Sequence, residues 1–291
     1  MRSNKSLQLV SLFALFVVGY ILSGSPAIGQ EQAKHKDGSY KERSFCSGDN
    51  WNSGDKVSFK EAREVAIPAS SDLNVNGGRN GGVSVKGEIR SDIIVRACIN
   101  AWADSEAAAK SLVSSIRIET GGTIKATSSV DENWSVSFEI LVPRSINVNI
   151  TAHNGGIAIK SVEGDIEFET TNGGVSLADL AGRVKGRTTN GGVKVSLSGN
   201  TWRGSGLDVV TTNGGVSLSV PETYAANFEA GTTNGGFKSD VPTLNVEQED
   251  NVGRTDGWSR SKRVRASMNG GGANIRVLTT NGGVKIAPSR E

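Results

Sequence analysis

The hexapeptide TTNGGV occupies residues 170–175, 188–193, 211–216 and 279–284, and TTNGGF occupies 232–237. Looser copies precede them at His153-Asn154-Gly155-Gly156-Ile157 and Asn80-Gly81-Gly82-Val83. A catalytic motif is needed once, so a motif rewritten this often has to answer a geometric demand. Around it, Asp165-Ile166-Glu167-Phe168-Glu169-Thr170-Thr171 alternates polar and apolar residues, as a half-buried strand does. Asn172-Gly173-Gly174 is a turn signal, after which Val175 and Leu177 resume the alternation. Glycines 164, 173, 182 and 191 lie nine residues apart while the full motif recurs at 18, so each unit is two strands and two turns. The same signal stands at Asn154-Gly155-Gly156, Asn190-Gly191-Gly192, Asn213-Gly214-Gly215, Asn234-Gly235-Gly236 and Asn281-Gly282-Gly283. Asn and Gly both tolerate positive φ, which predicts a left-handed corner at each of these places.

Units of this length cannot bury themselves singly. The expected fold class is therefore all-β: a single-chain parallel β-solenoid of stacked coils of 18–23 residues. Right-handed winding is the default for parallel crossovers. Stacking at ~4.8 Å would set Thr on Thr, Asn on Asn and Val on Val. An antiparallel meander with Asn-Gly turns is the alternative, but it gives no reason for near-identical side chains at every second turn. Breaks in spacing predict insertion loops at Asn200-Thr201-Trp202-Arg203-Gly204 and from Gln248 to Arg265. Lys262-Arg263-Val264-Arg265 then reads as solvated loop charge. One short helix is expected near 105–114, with Asp104 or Ser105 as N-cap.

The chain ends divide differently. Arg2 and Lys5 precede an apolar run from Leu9 to Leu22, and Ala27-Ile28-Gly29 gives a small-residue cleavage site. Residues 1–29 thus read as a signal peptide of an exported protein bound for the periplasm, cell surface or exterior. The run is shorter than the ~20 residues of a membrane span, although an uncleaved anchor is the other reading. Residues 30–61 read as a flexible segment and 62–288 as the repeat domain. Of 32 basic residues the signal removes two, which leaves a balance with the 30 acidic ones. A neutral chain has no global field for nucleic acid. Cys46 and Cys98 are the two cysteines, and in an oxidising compartment the even count predicts one disulfide.

Three stretches give the chain a family resemblance. One is Gly78 to Val85, followed by Ile94-Val95-Arg96-Ala97 and Ala101-Trp102-Ala103. The second is Leu141-Val142-Pro143-Arg144 with the repeats after it, and the third is Phe237 to Pro242 with Gly270 to Val277. In that order they resemble the "putative adhesin" domain family of exported bacterial β-solenoids. The resemblance covers roughly residues 62–288. It implies a parallel solenoid at the cell surface or in the periplasm, and it transfers no catalytic residue.

The chemistry-bearing residues are sparse. His35 and His153 are the two histidines, so neither a metal set nor a Ser-His-Asp arrangement can be assembled. The acidic residues do not share a phase as a calcium-binding roll requires. Adjacent threonines cannot both face an ice-binding surface. Glu167, Glu169, Arg183, Lys185 and Arg187 could group carboxylates and bases as a polysaccharide-acting β-helix enzyme would, but solvent-facing ion pairs explain them as well. Trp51, Trp102 and Trp134 read as packing residues. Trp202 and Trp258, in the expected insertion loops, are candidate sugar contacts. The exposed set after the turns is Ser176, Lys194, Ser217 and Lys238. The expectation is a non-enzymatic surface, without cofactor, that binds envelope glycan or a surface protein. The alternatives are the polysaccharide enzyme and a structural or regulatory part in envelope stress.

Overall fold

Buried and exposed residues alternate along strand after strand, so the chain can only satisfy its apolar face by pairing two sheets. A computed structural model describes residues 45–46, 55–244 and 261–289; the signal segment, His35, Trp51 and Trp258 fall outside them. In chain order, β1 (Val57–Pro68), β2 (Asp72–Asn76), β3 (Val83–Glu88) and β4 (Asp92–Ala103) lead to one helix, α1 (Glu106–Ser115). Then come β5 (Arg117–Glu119), β6 (Thr123–Thr127) and β7 (Trp134–Pro143). The repeats supply β8 (Asn147–Ala152), β9 (Ile157–Lys160), β10 (Glu163–Thr170), β11 (Val175–Ala178), β12 (Ala181–Asn190) and β13 (Val193–Ser196). They continue through β14 (Gly206–Asn213), β15 (Val216–Val220), β16 (Ala226–Asn234) and β17 (Phe237–Ser239). Last are β18 (Lys262–Met268), β19 (Asn274–Asn281) and β20 (Val284–Pro288). Helix α1 starts where expected: the Ser105 side chain accepts from the Ala108 N–H. At its other end Arg63 donates to the Val113 and Ile116 carbonyls, groups a helix leaves unpaired.

The strands make two ten-stranded sheets, in the orders β1-β4-β7-β3-β9-β11-β13-β15-β20-β17 and β18-β16-β19-β14-β12-β10-β8-β2-β6-β5. Both are mixed, and this corrects the single parallel solenoid. The repeat strands do pair in parallel and in register. However, β1–β4–β7, β5–β6 and β16–β18 are antiparallel. Stacking order also departs from chain order, because β19 lies between β14 and β16, and β20 between β15 and β17. One continuous winding would leave the last repeat at an end; here it is intercalated between its two predecessors. The antiparallel strands have a physical purpose. A stack of parallel strands ends in unpaired N–H and C=O groups, and the antiparallel partners β4, β5 and β18 cover those of β7, β6 and β16. Lys262 to Arg265, read from sequence as loop charge, is therefore part of a paired strand.

The corners also correct the sequence reading. At none of the corners named from the repeats does a glycine have positive φ; Gly78 and Gly270, after Asn76 and Asn269, do. The first glycine is required by close approach instead: a Cβ on Gly173 would stand 2.0 Å from the Gly155 carbonyl oxygen, and one on Gly191 2.0 Å from that of Gly173. Side chains fix this spacing. The asparagine amides form one chain through Asn80, Asn154, Asn172, Asn190, Asn213, Asn281 and Asn234, each donating to the one before it at 2.8–3.0 Å. The first threonine of each motif is buried, and its hydroxyl donates to a first-glycine carbonyl of the neighbouring corner, as in Thr188 to Gly173 at 2.8 Å. Thr188→Val keeps the shape but leaves that carbonyl unpaired. A loss of about 1 kcal/mol is expected by denaturant titration, with no change in m-value.

Inward residues of both sheets meet in one core that includes Ile166, Phe168, Val175, Leu177, Val184, Val193 and Val195. Where β12 places Gly186 inward, the Phe168 ring of β10 takes up the space, 2.3 Å from where a Cβ would be. The strands thereby hold two outer faces at fixed ~4.8 Å intervals. Cys46 is joined to Cys98 of β4, as the cysteine count predicts.

Candidate functional site

The outer face of the second sheet carries most of the charge. Across β10, β12, β14, β19, β16 and β18 the register sets Glu167, Lys185, Asp208, Arg276, Glu229 and Arg265 side by side, alternating in sign. Arg183 contacts Asp165 at 2.7 Å and Glu167 at 2.9 Å, and Arg187 contacts Glu169 at 2.7 Å. The hydrogen bond that Arg183 donates to Asp165, then that to Glu167, raises its guanidinium above the usual range. Arg276 joins Asp208 to Glu229, which also meets Arg263 and Arg265. A shallow groove of about 430 Å³ runs here past Glu167, Glu169, Lys185, Arg187 and Val210. Every carboxylate named in this paragraph is ion-paired, so the face largely neutralises itself. The residues that could have formed a catalytic acid–base group are gathered, but as neighbours along a ladder.

The outer face of the first sheet differs. In register across β3, β9, β11, β13, β15, β20 and β17 stand Ser84, Ala158, Ser176, Lys194, Ser217, Lys285 and Lys238. Ser176, Lys194, Ser217 and Lys238, singled out by sequence, are exposed and share this row. Lys285 belongs between the last two and was missed, because its repeat is last in the chain but not in the sheet. The signal was present: Val284-Lys285-Ile286 repeats the pattern of Val193-Lys194-Val195. A second row holds Lys86, Lys160, Ala178, Ser196, Ser219 and Ala287. From β9 to β20 the outward residues are Ala, Ser and Lys with no acid. Lys86 pairs with Glu88 and Lys238 with Asp240. Among the described residues Lys160, Lys194 and Lys285 have no ion pair, and the hydroxyls of Ser176, Ser196, Ser217 and Ser219 make no hydrogen bond.

Trp202 is corrected. It is only 6% exposed, and its indole N–H donates to the Gly182 carbonyl at 2.9 Å. Gly204 and Gly206, at φ 115° and 123°, let the loop fold back over the core instead of projecting. Trp202 therefore presents no stacking platform, and Trp258 lies outside the described residues. Trp102 and Trp134 are half-buried, and the Trp134 indole donates to Val130 at 2.6 Å. His153 is exposed beside its corner. Asp179 occupies the opposite corner with φ 51°. Partial burial pushes its carboxyl up, but hydrogen bonds from Ser198 and Ser161 outweigh it and leave the group below the usual carboxylate range. Among the described residues no three of His, Cys, Asp and Glu gather as a metal site, and no helix is long and apolar enough to cross a membrane.

Comparison with solved structures finds a "putative cell adhesion protein" from Clostridium sporogenes at 11% identity and TM-score 0.41, covering 80% of this chain and 100% of that one. It also finds a "putative adhesin" from Bacteroides fragilis at 10% identity and TM-score 0.37, covering 79% of this chain and 97% of that one. No curated protein matches. A family model described as Toastrack DUF4097 matches residues 47–286, and the chain belongs to that family.

Proposed function

We propose that this chain is a non-enzymatic, exported binding module that holds an extended partner, envelope glycan or surface protein, along the outer face of its first sheet. One observation carries this reading. From β9 to β20 the face is a grid of small and cationic side chains in register, whose donors no other group in the described molecule engages. Such a surface contributes nothing to the core and is flat enough for a long partner to lie on. The Cys46–Cys98 disulfide supports an oxidising compartment. The ion pairs of Asp165, Glu167, Glu169, Asp208 and Glu229 on the second sheet give a polysaccharide-acting enzyme no unpaired acid among them.

The face can be blocked without touching the core. Ser176→Trp with Ser217→Trp places two bulky rings on exposed positions two strands apart. The double variant is expected to keep the parent's thermal transition and to lose retention of envelope material in a pull-down. Retention equal to the parent's, with the transition unchanged, would sink the reading.

A further inference from the structure

We propose that the partner on this face is a carboxylated polysaccharide, gripped by the ammonium groups of Lys160, Lys194 and Lys285 and by the serine hydroxyls between them; this rests on the binding face just described. The argument starts with charge. The ten outward positions from β9 to β20 hold three lysines, four serines and three alanines, with no acid. Each of the three ammonium groups lacks an internal counter-ion among the described residues. The opposite face carries more charges, yet apart from Lys185 those named above close on one another. Unanswered charge of one sign on one face selects an anionic occupant.

Spacing narrows the class. Lys194 and Lys285 share one row on β13 and β20, two strand positions or ~10 Å apart, and Lys160 stands on β9 in the second row, two strands from Lys194 and ~12 Å from it on the diagonal. Serines or alanines fill the intervening strands. A ring in an extended glycan advances by about one strand spacing, so a carboxylate on every second sugar would meet an ammonium group at each step. Hydroxyl groups of the sugars between them would meet Ser176, Ser196, Ser217 and Ser219, each able to donate and accept. Nucleic acid is separated by its bases, which call for aromatic platforms. No aromatic residue points outward on these strands. Lipid is separated by the lack of an apolar anchor. The exposed large hydrophobics among the described residues are Val57, Val65, Ile89 and Val130, none of them on these strands.

The test uses the full chain with polygalacturonate, dextran and vesicles of phosphatidylglycerol in phosphatidylcholine. The parent should bind polygalacturonate, lose it progressively as salt is added, and ignore dextran. Lys160→Glu, Lys194→Glu and Lys285→Glu together should weaken polygalacturonate binding about a hundredfold, since like charges would then face each other. All three sites are exposed and unpaired, so the variant's thermal transition should match the parent's. Equal affinity of parent and variant, equal binding of dextran, or preference for the vesicles would each overturn the proposal. The tryptophan double variant keeps the two readings apart. If it loses envelope material while the glutamate variant retains it, the face binds but its partner is not the polyanion. If both retain it, the binding face itself is wrong.

Discussion

Gly173→Ala is expected to destabilise the fold by about 3 kcal/mol or more, while its neighbour Gly174→Ala should cost no more than about 0.5 kcal/mol. The two glycines are neighbours in the motif and neither has a left-handed φ, so conformational freedom cannot separate them. What separates them is what a methyl group would meet. At Gly173 it would be 2.0 Å from the Gly155 carbonyl oxygen, 2.4 Å from its carbon and 2.8 Å from the Gly156 nitrogen, all backbone. At Gly174 the nearest atom is the Gly192 oxygen at 3.6 Å, an ordinary contact. Backbone cannot swing aside as a side chain can, so relief requires parting the corners. That lengthens the amide bonds of Asn172 to Asn154 and of Asn190 to Asn172, each now 2.8 Å. Gly191→Ala should behave like Gly173→Ala, because its Cβ meets Gly173 at the same distance. Thermal melts of the three variants decide the matter; equal losses at 173 and 174 would mean that turn conformation, and not approach, selects glycine here.

The same corners show what a sequence of this kind can and cannot disclose. Strands were legible because alternation of residues such as Ile166, Phe168, Val175 and Leu177 is itself the physical requirement for a half-buried strand. Corner positions were legible, though the reason assigned to them was wrong. Stacking order was not legible, and the cause lies in the repetition. A threonine, asparagine and valine meeting an identical set gain the same contacts whichever copy supplies them, so near-identical repeats carry no address. Connection length carried the address instead. The 47 residues from Asn234 to Asn281 were read as an insertion, yet they allow the chain to run out through β18 and return between two earlier coils. The binding row inherited that error: Lys285 joins Lys194 and Lys238 only once β20 is known to lie beside β17. Trp202 failed for a different reason, since a tryptophan flanked by glycines reads the same whether the loop projects or folds inward.

If intercalation holds the C-terminal part together, a chain ending at Met268 should lose far more than its last two strands. β19 pairs with both β14 and β16, and β20 with both β15 and β17. Removing them takes away the buried Ile275, Val277, Val284 and Ile286 and strips one edge from each of the four strands left behind. At about 1.5–3 kcal/mol for each aliphatic side chain, the loss is roughly 6–12 kcal/mol as an upper bound. That is comparable with the ~5–15 kcal/mol that holds a domain folded. The shared motif offers one escape, because β16 could close directly on β14 with Thr232 beside Thr211 and Asn234 beside Asn213. The connection between β15 and β16 opposes it. Ala225 donates to the Asn200 carbonyl at 2.7 Å, and the buried Tyr224 packs against Phe228, holding β16 one strand away from β14. The truncated chain should therefore melt in two steps, with hydrogen-exchange protection lost first in β16 to β18 and the upper transition lowered by more than about 10 °C. A peptide of residues 270–289 added in trans should restore a single transition. A truncated chain that melts once, within a few degrees of the parent, would mean that the corners re-close in chain order and that the inserted coil is dispensable.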